Sequence, residues 1–65
     1  MNPIILKKYK EKGATWEITT ERECLEHTEG AGYWRPGTVL SMLREGQEVF
    51  TPNARYKAQW PQVNN

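Results

Sequence analysis

The stretch from Pro36 to Trp60, PGTVLSMLREGQEVFTPNARYKAQW, decides the fold. Its first half is spaced as a helix. Val39, Leu40, Met42 and Leu43 form an apolar stripe at helical intervals, Pro36 occupies the place of a first-turn proline, and Gly46 follows Arg44-Glu45 where a helix stops. This pattern predicts a helix over 36–45. Its second half reads as a hairpin. Glu48 to Thr51 is a short strand carrying Val49 and Phe50, and Thr51-Pro52-Asn53-Ala54 has proline and asparagine where a β-turn takes them. Arg55 to Trp60 then alternates, with Tyr56, Ala58 and Trp60 on one face and Arg55, Lys57 and Gln59 on the other. Pro61 ends that strand, and residues 61–65 are expected to form a flexible tail.

Toward the N-terminus the same reasoning yields a second hairpin. Ile4 to Lys10 alternates as a strand, with Ile5 and Tyr9 on one face and Ile4 and Leu6 on the other. Lys12-Gly13 supplies the turn, and Ala14 to Thr19 returns with Trp16 and Ile18 on one face and Thr15, Glu17 and Thr19 on the other. Between the hairpins, Thr20 followed three residues later by Glu23 fits a capping box. Only Cys24 and Leu25 are apolar there, so one or two helical turns or an irregular loop are expected before Gly30-Ala31-Gly32 bends the chain. The expected fold class is α+β: a small antiparallel sheet of two hairpins in ββαββ order, covered by one main helix, in a single domain over residues 1–60. Its expected core is Trp16, Ile18, Leu40, Leu43, Phe50, Tyr56 and Trp60.

The run from Thr38 to Thr51, TVLSMLREGQEVFT, resembles the centre of a family of short bacterial domains of unknown function. In that family a hairpin precedes a helix that ends in an acidic or polar residue and a glycine. An aromatic-threonine strand and a further strand follow. The resemblance implies a hairpin–helix–hairpin fold over roughly residues 5–60, and no activity.

Composition restricts the function classes. A 65-residue chain makes one domain with a marginal core, and seven aromatic residues are its visible compensation. With one cysteine no intramolecular disulfide forms, which suits a reducing compartment. The apolar run at the N-terminus is too short for a signal peptide and precedes its lysines, and no stretch is long enough for a membrane span. A cytoplasmic location without membrane association is expected. The net charge of +1 conceals blocks: residues 1–12 carry +3, residues 13–29 carry −4 and the remainder +2. That balance lacks the basic excess of a dedicated nucleic-acid binder.

No catalytic or cofactor-binding set emerges. Cys24 and His27, three residues apart, share a helical face, but a structural zinc site needs four ligands and the chain has no other cysteine or histidine. The five glutamates from Glu17 to Glu29 read as a solvated acidic face, because acid–base work requires a pocket that drives their pKa values apart. Gly30-Ala31-Gly32 lacks the Gly-Lys-Ser/Thr of a phosphate loop. Lys7, Lys8, Lys10 and Lys12 offer contacts for phosphates, but with only Tyr9 among them as a stacking platform they read first as protection of an edge strand. No metal, no cofactor and no enzymatic activity are therefore expected.

Tyr33-Trp34-Arg35 is the segment that suggests a partner, since tyrosine, tryptophan and arginine dominate binding hot spots. Trp34 is alternatively a staple folded over Leu40. The leading expectation is a small non-enzymatic module that binds another macromolecule, a protein above all, in an accessory role of the kind that phage and mobile-element proteins play. The alternative is a winged-helix or excisionase-like DNA binder. There Thr20 to His27 and Thr38 to Glu45 are its helices, the hairpin over 48–60 is its wing, and Arg44, Arg55 and Lys57 contact nucleic acid. The five glutamates count against that alternative, and the oligomeric state is left open, a homo-oligomer included.

Overall fold

Alternation from Ile4 to Tyr9 produces strand β1 in the computed structural model, which describes residues 3–60. Gly13, at φ +83°, lets the chain reverse, and the Ala14 N–H donates to the Glu11 carbonyl at 3.1 Å. Strand β2 is only Glu17–Thr19, shorter than the alternating segment, and it pairs antiparallel to β1 with Ile5 opposite Thr19 and Leu6 opposite Ile18.

Helix α1, Glu21–His27, forms in the segment whose sequence leaves one or two helical turns and an irregular loop both open. The Thr20 hydroxyl accepts from the Glu23 N–H at 3.1 Å, but the Glu23 carboxylate takes a bond from the Thr19 hydroxyl at 2.9 Å, which ties the helix start to the end of β2. At its other end the Thr28 hydroxyl donates to the Cys24 carbonyl at 2.7 Å, and the Gly30 N–H donates to the Leu25 carbonyl at 2.8 Å.

Helix α2 is Thr38–Arg44, so it starts two residues after Pro36. Gly37, at φ +89°, stands between them in a left-handed conformation that no right-handed helix continues through. The predicted stop holds: the Gly46 N–H donates to the Leu43 carbonyl at 3.1 Å and the Gln47 N–H to the Met42 carbonyl at 3.0 Å, closing the last turn. Strands β3, Val49–Phe50, and β4, Ala54–Gln59, flank a turn in which the Thr51 hydroxyl accepts from the Ala54 N–H at 3.0 Å.

The strands form one antiparallel sheet in the order β2-β1-β4-β3, so the two hairpins meet through a β1–β4 pairing that runs from Ile4–Gln59 to Tyr9–Ala54. The α+β fold of two hairpins stands as expected, covered by two helices of equal length rather than by one main helix. Ile5, Val49, Ala54 and Tyr56 point from one sheet face into a single cluster with Cys24 of α1 and Val39 and Leu43 of α2. Both helices therefore cover the same face.

This arrangement corrects the expected core. Leu43 and Tyr56 are buried and Leu40 is half-buried, but Ile18 is 75% exposed, Phe50 51% and Trp60 47%, and Trp16 is only half-buried. Trp60 keeps the parity of the buried Tyr56 but lies one residue past the end of β4; for the other three the cause is register. Thr19 faces Ile5, so the core side of β2 belongs to Thr19 and Glu17, and the period of two places Trp16 and Ile18 on the opposite side. Phe50 follows the same rule, one residue past the buried Val49. The lysines of β1 are corrected too: β1 lies between β2 and β4, so Lys7 and Lys8 guard no edge. Nor is the hairpin over 48–60 a free wing, because β4 is paired along its length with β1 inside the sheet. The expected tail over 61–65 lies outside the described residues. Among the described residues no helix is long and apolar enough to cross a membrane.

Candidate binding face of the sheet

Among the described residues no element covers the face of the sheet turned away from the helices, and the register determines what stands on it. Phe50 of β3 pairs with Arg55 of β4, and Arg55 pairs with Lys8 of β1. Lys8 in turn lies over Trp16, which directly precedes β2, with its Nζ 5.4 Å from the ring centre. One row across the sheet thus runs aromatic, cation, cation, aromatic. The next row holds Ile18, Leu6 and Lys57, and beyond it Ile4 pairs with Gln59.

Trp16 is the centre of the cationic cluster. Besides Lys8, the Lys57 Nζ lies 4.2 Å and the Arg55 guanidinium 5.7 Å from its ring centre. Three cations around one indole are held by the ring's negative π-face and by neighbouring strands that leave them few other directions. Arg55 also lies 5.4 Å from the Phe50 ring centre. Its Nε and Nη2 donate to one oxygen of Glu48 at 3.0 and 2.6 Å, a pair about one-third exposed that aligns the guanidinium along the sheet. Among the described residues Glu48 is the one carboxylate paired in this cluster, so Lys8, Arg55 and Lys57 leave an excess of positive charge. The exposed glutamates Glu21, Glu23 and Glu26 sit on α1, in the layer on the far side of the sheet.

At the end of the sheet where β1 begins, the exposed apolar residues continue into an open groove of about 560 Å3. Ile4, Ile18, Leu40 and Trp60 line it, with Glu21 and Arg44 also in its wall.

The structure separates the residues that the sequence singled out. Arg55 and Lys57 are brought together beside Trp16, whereas Arg44 belongs to α2 and the groove. In the loop, Tyr33 is 46% exposed and Arg35 is exposed, but Trp34 is half-buried against the core. Its indole N–H donates to the Phe50 carbonyl at 2.8 Å, which satisfies an acceptor on the edge strand β3. Cys24 is fully buried and His27 exposed, so the two do not present one shared surface. Burial pushes the Cys24 thiol up to about 11, which keeps it protonated and a poor nucleophile at neutral pH. Among the described residues no group of three histidine, cysteine or acidic side chains is placed to hold a metal ion.

In the sequence Trp16, Ile18 and Phe50 read as core rather than surface, and Lys8 as protection of an edge rather than part of this face. The alternation of Arg55 and Lys57 with Tyr56 marked one half of this face in the sequence, but nothing local says which residues of β2 share it. No protein-family model, curated protein or solved structure matches the chain.

Proposed function

We propose that the chain is a non-enzymatic binding module whose working surface is the uncovered face of the sheet. One observation carries this reading: Trp16, Ile18 and Phe50 stand outside the core, gathered on one side of the sheet with ordered cations between them. A domain this small gains most of its stability from apolar burial, and so much apolar surface left on one face marks an interaction site. The Arg55–Glu48 pair orders the guanidinium beside Phe50 before any ligand arrives, which lowers the entropic cost of binding. The groove between Ile18, Leu40 and Trp60 extends the same apolar surface around the sheet end.

A second reading rests on the loop over Tyr33, Trp34 and Arg35 as a protein-binding hot spot. Anchoring of Trp34 on the Phe50 carbonyl holds its exposed neighbours Tyr33 and Arg35 in place at the edge of β3. Affinity capture from the host separates the two. A folded Ile18→Ser/Phe50→Ser variant is expected to lose the partners that the unaltered chain retains, while Tyr33→Ala/Arg35→Ala keeps them. The opposite pattern overturns the sheet-face reading in favour of the loop.

A further inference from the structure

We propose that the occupant of the uncovered face is a single-stranded nucleic acid, an inference that rests on the reading of this face as the working surface. Charge complementarity is the first argument. Lys8, Arg55 and Lys57 cluster around Trp16 with only Glu48 among them, so the face suits a polyanion. A second copy of this chain, docked face to face about a two-fold axis, would set that cluster against itself. The acidic residues that weigh against nucleic acid in the sequence lie on α1, across the sheet from the cations.

The order of groups is the second argument. Trp16 and Phe50 end one cross-strand row and cations occupy its two inner positions. Three interstrand intervals of about 4.8 Å separate the row ends by roughly 14 Å. An exposed sheet with aromatics at this separation offers stacking places for about two or three unpaired bases, with cations between them for the phosphates. Stacking needs bases that are free of a partner strand, which a duplex does not offer. Major-groove reading uses a projecting helix or β-ribbon, whereas α2 buries Val39 and Leu43 and carries Arg44 as its one cation, and β4 is paired inside the sheet. Lys57, over the indole in the free protein, swings on its flexible stem to a phosphate as a base takes its place.

The test is fluorescence polarisation of labelled oligo-dT and oligo-U of about 12 nucleotides, within the site sizes of small sheet-based binders. The same sequence length as a duplex serves as competitor. With three phosphates neutralised, the slope of log affinity against log salt is expected near −2, about a fifteen- to twentyfold loss between 50 and 200 mM salt. Lys8→Gln/Lys57→Gln should reduce that slope to about −0.7, the contribution of one remaining contact. Phe50→Ala, at an exposed position that the fold tolerates, should weaken binding about fivefold or more by removing one stacking platform. Competition by the duplex should be weak. Absence of oligonucleotide binding by the unaltered chain at low salt overturns the inference, as does an unchanged salt slope in the folded lysine variant. If nuclease-treated capture then returns a protein that Lys8→Gln/Lys57→Gln loses, the face is a protein-binding surface and only the nucleic acid is wrong. If face variants change neither measurement, both readings fall.

Discussion

The Glu29 carboxylate accepts a hydrogen bond from the Val39 backbone N–H at 3.1 Å, ten residues further along the chain. Gly37, at the N-cap of α2, has no side chain with which to do this, so a residue of the preceding loop caps the helix instead. The bond ties the segment after α1 to the start of α2, as the bond from the Thr19 hydroxyl to Glu23 ties the start of α1 to β2.

Replacing Glu29 should therefore weaken the fold. Glu29→Ala is expected to cost about 1 kcal/mol, as loss of a helix cap does, and to lower the melting temperature by several degrees. Glu29→Gln keeps an acceptor and should cost less. Urea denaturation of the two variants checks this, with Glu26→Ala, on the exposed face of α1, as a control that should change little. Equal effects at 26 and 29 would mean that the cap contributes nothing.

The side of the sheet that each residue occupies predicts a contrast between two aliphatic truncations. Leu43, 1% exposed at the centre of the cluster, should cost about 2–5 kcal/mol as Leu43→Ala. Ile18, 75% exposed on the far face, should lie within about 0.5 kcal/mol of the unaltered chain as Ile18→Ala. Thermal melts of the two variants measure the difference, and a large loss for Ile18→Ala would place β2 in the opposite register.

Gly30 is required by space. A Cβ there would stand 2.8 Å from the Glu26 carbonyl oxygen and 3.0 Å from its Cα, both backbone atoms of α1 that cannot move aside alone. Gly30→Ala should destabilise the fold by about 1–3 kcal/mol, the range for an overpacked site. Gly13→Ala, where nothing lies within 4 Å but φ is +83°, should cost only about 1 kcal/mol of backbone strain. A smaller loss for Gly30→Ala than for Gly13→Ala in denaturant melts would contradict this packing.

Alkaline pH should unfold the protein, and the sign follows from three groups. Burial raises the Cys24 thiol from 9.0 to about 11, burial also raises Tyr56, and Lys7 is raised chiefly by its hydrogen bond to the Tyr9 hydroxyl. In each case the folded state holds its proton to higher pH than the unfolded chain, so this stability is complete below pH 9. It falls first through Cys24 between 9 and about 11, and falls further above the ordinary values of Tyr56 and Lys7, 10.0 and 10.5. The cysteine part amounts to roughly 2–3 kcal/mol across that window. Cys24→Ala should flatten much of the decline while leaving the part due to Tyr56 and Lys7, which melts at stepped pH would record. The buried thiol should also react slowly with a disulfide reagent at neutral pH until the chain is unfolded.

Most of the element order was legible because its signals are local. The apolar stripe of Val39 and Leu43, the stop at Gly46 and the turn at Thr51 to Ala54 depend on neighbours a few residues away, and all three stand in the structure. The helix start at Thr38 was less legible, since Pro36 marked a first turn that the left-handed Gly37 postponed. The candidate site was half legible. Arg55 and Lys57 stood out on the polar side of β4, but Lys8 read as edge protection and Trp16 as core.

The amino-acid sequence by itself determined two hairpins, the helix between them, and a sheet whose strands each carry two distinct faces. Which face of each strand turns inward was decided only by tertiary pairing. Trp16 and Ile18 make the more apolar side of β2, and hydrophobicity alone would bury them. Opposing this, Thr19 faces Ile5 across the β1–β2 ladder and its hydroxyl binds Glu23 at the start of α1. A shift of one residue would exchange every side chain between the faces, so the ladder and the helix anchored at its end choose for the whole strand at once. That choice placed a tryptophan among three cations on an open sheet, a juxtaposition of β1, β2 and β4 that no single stretch of the chain contains.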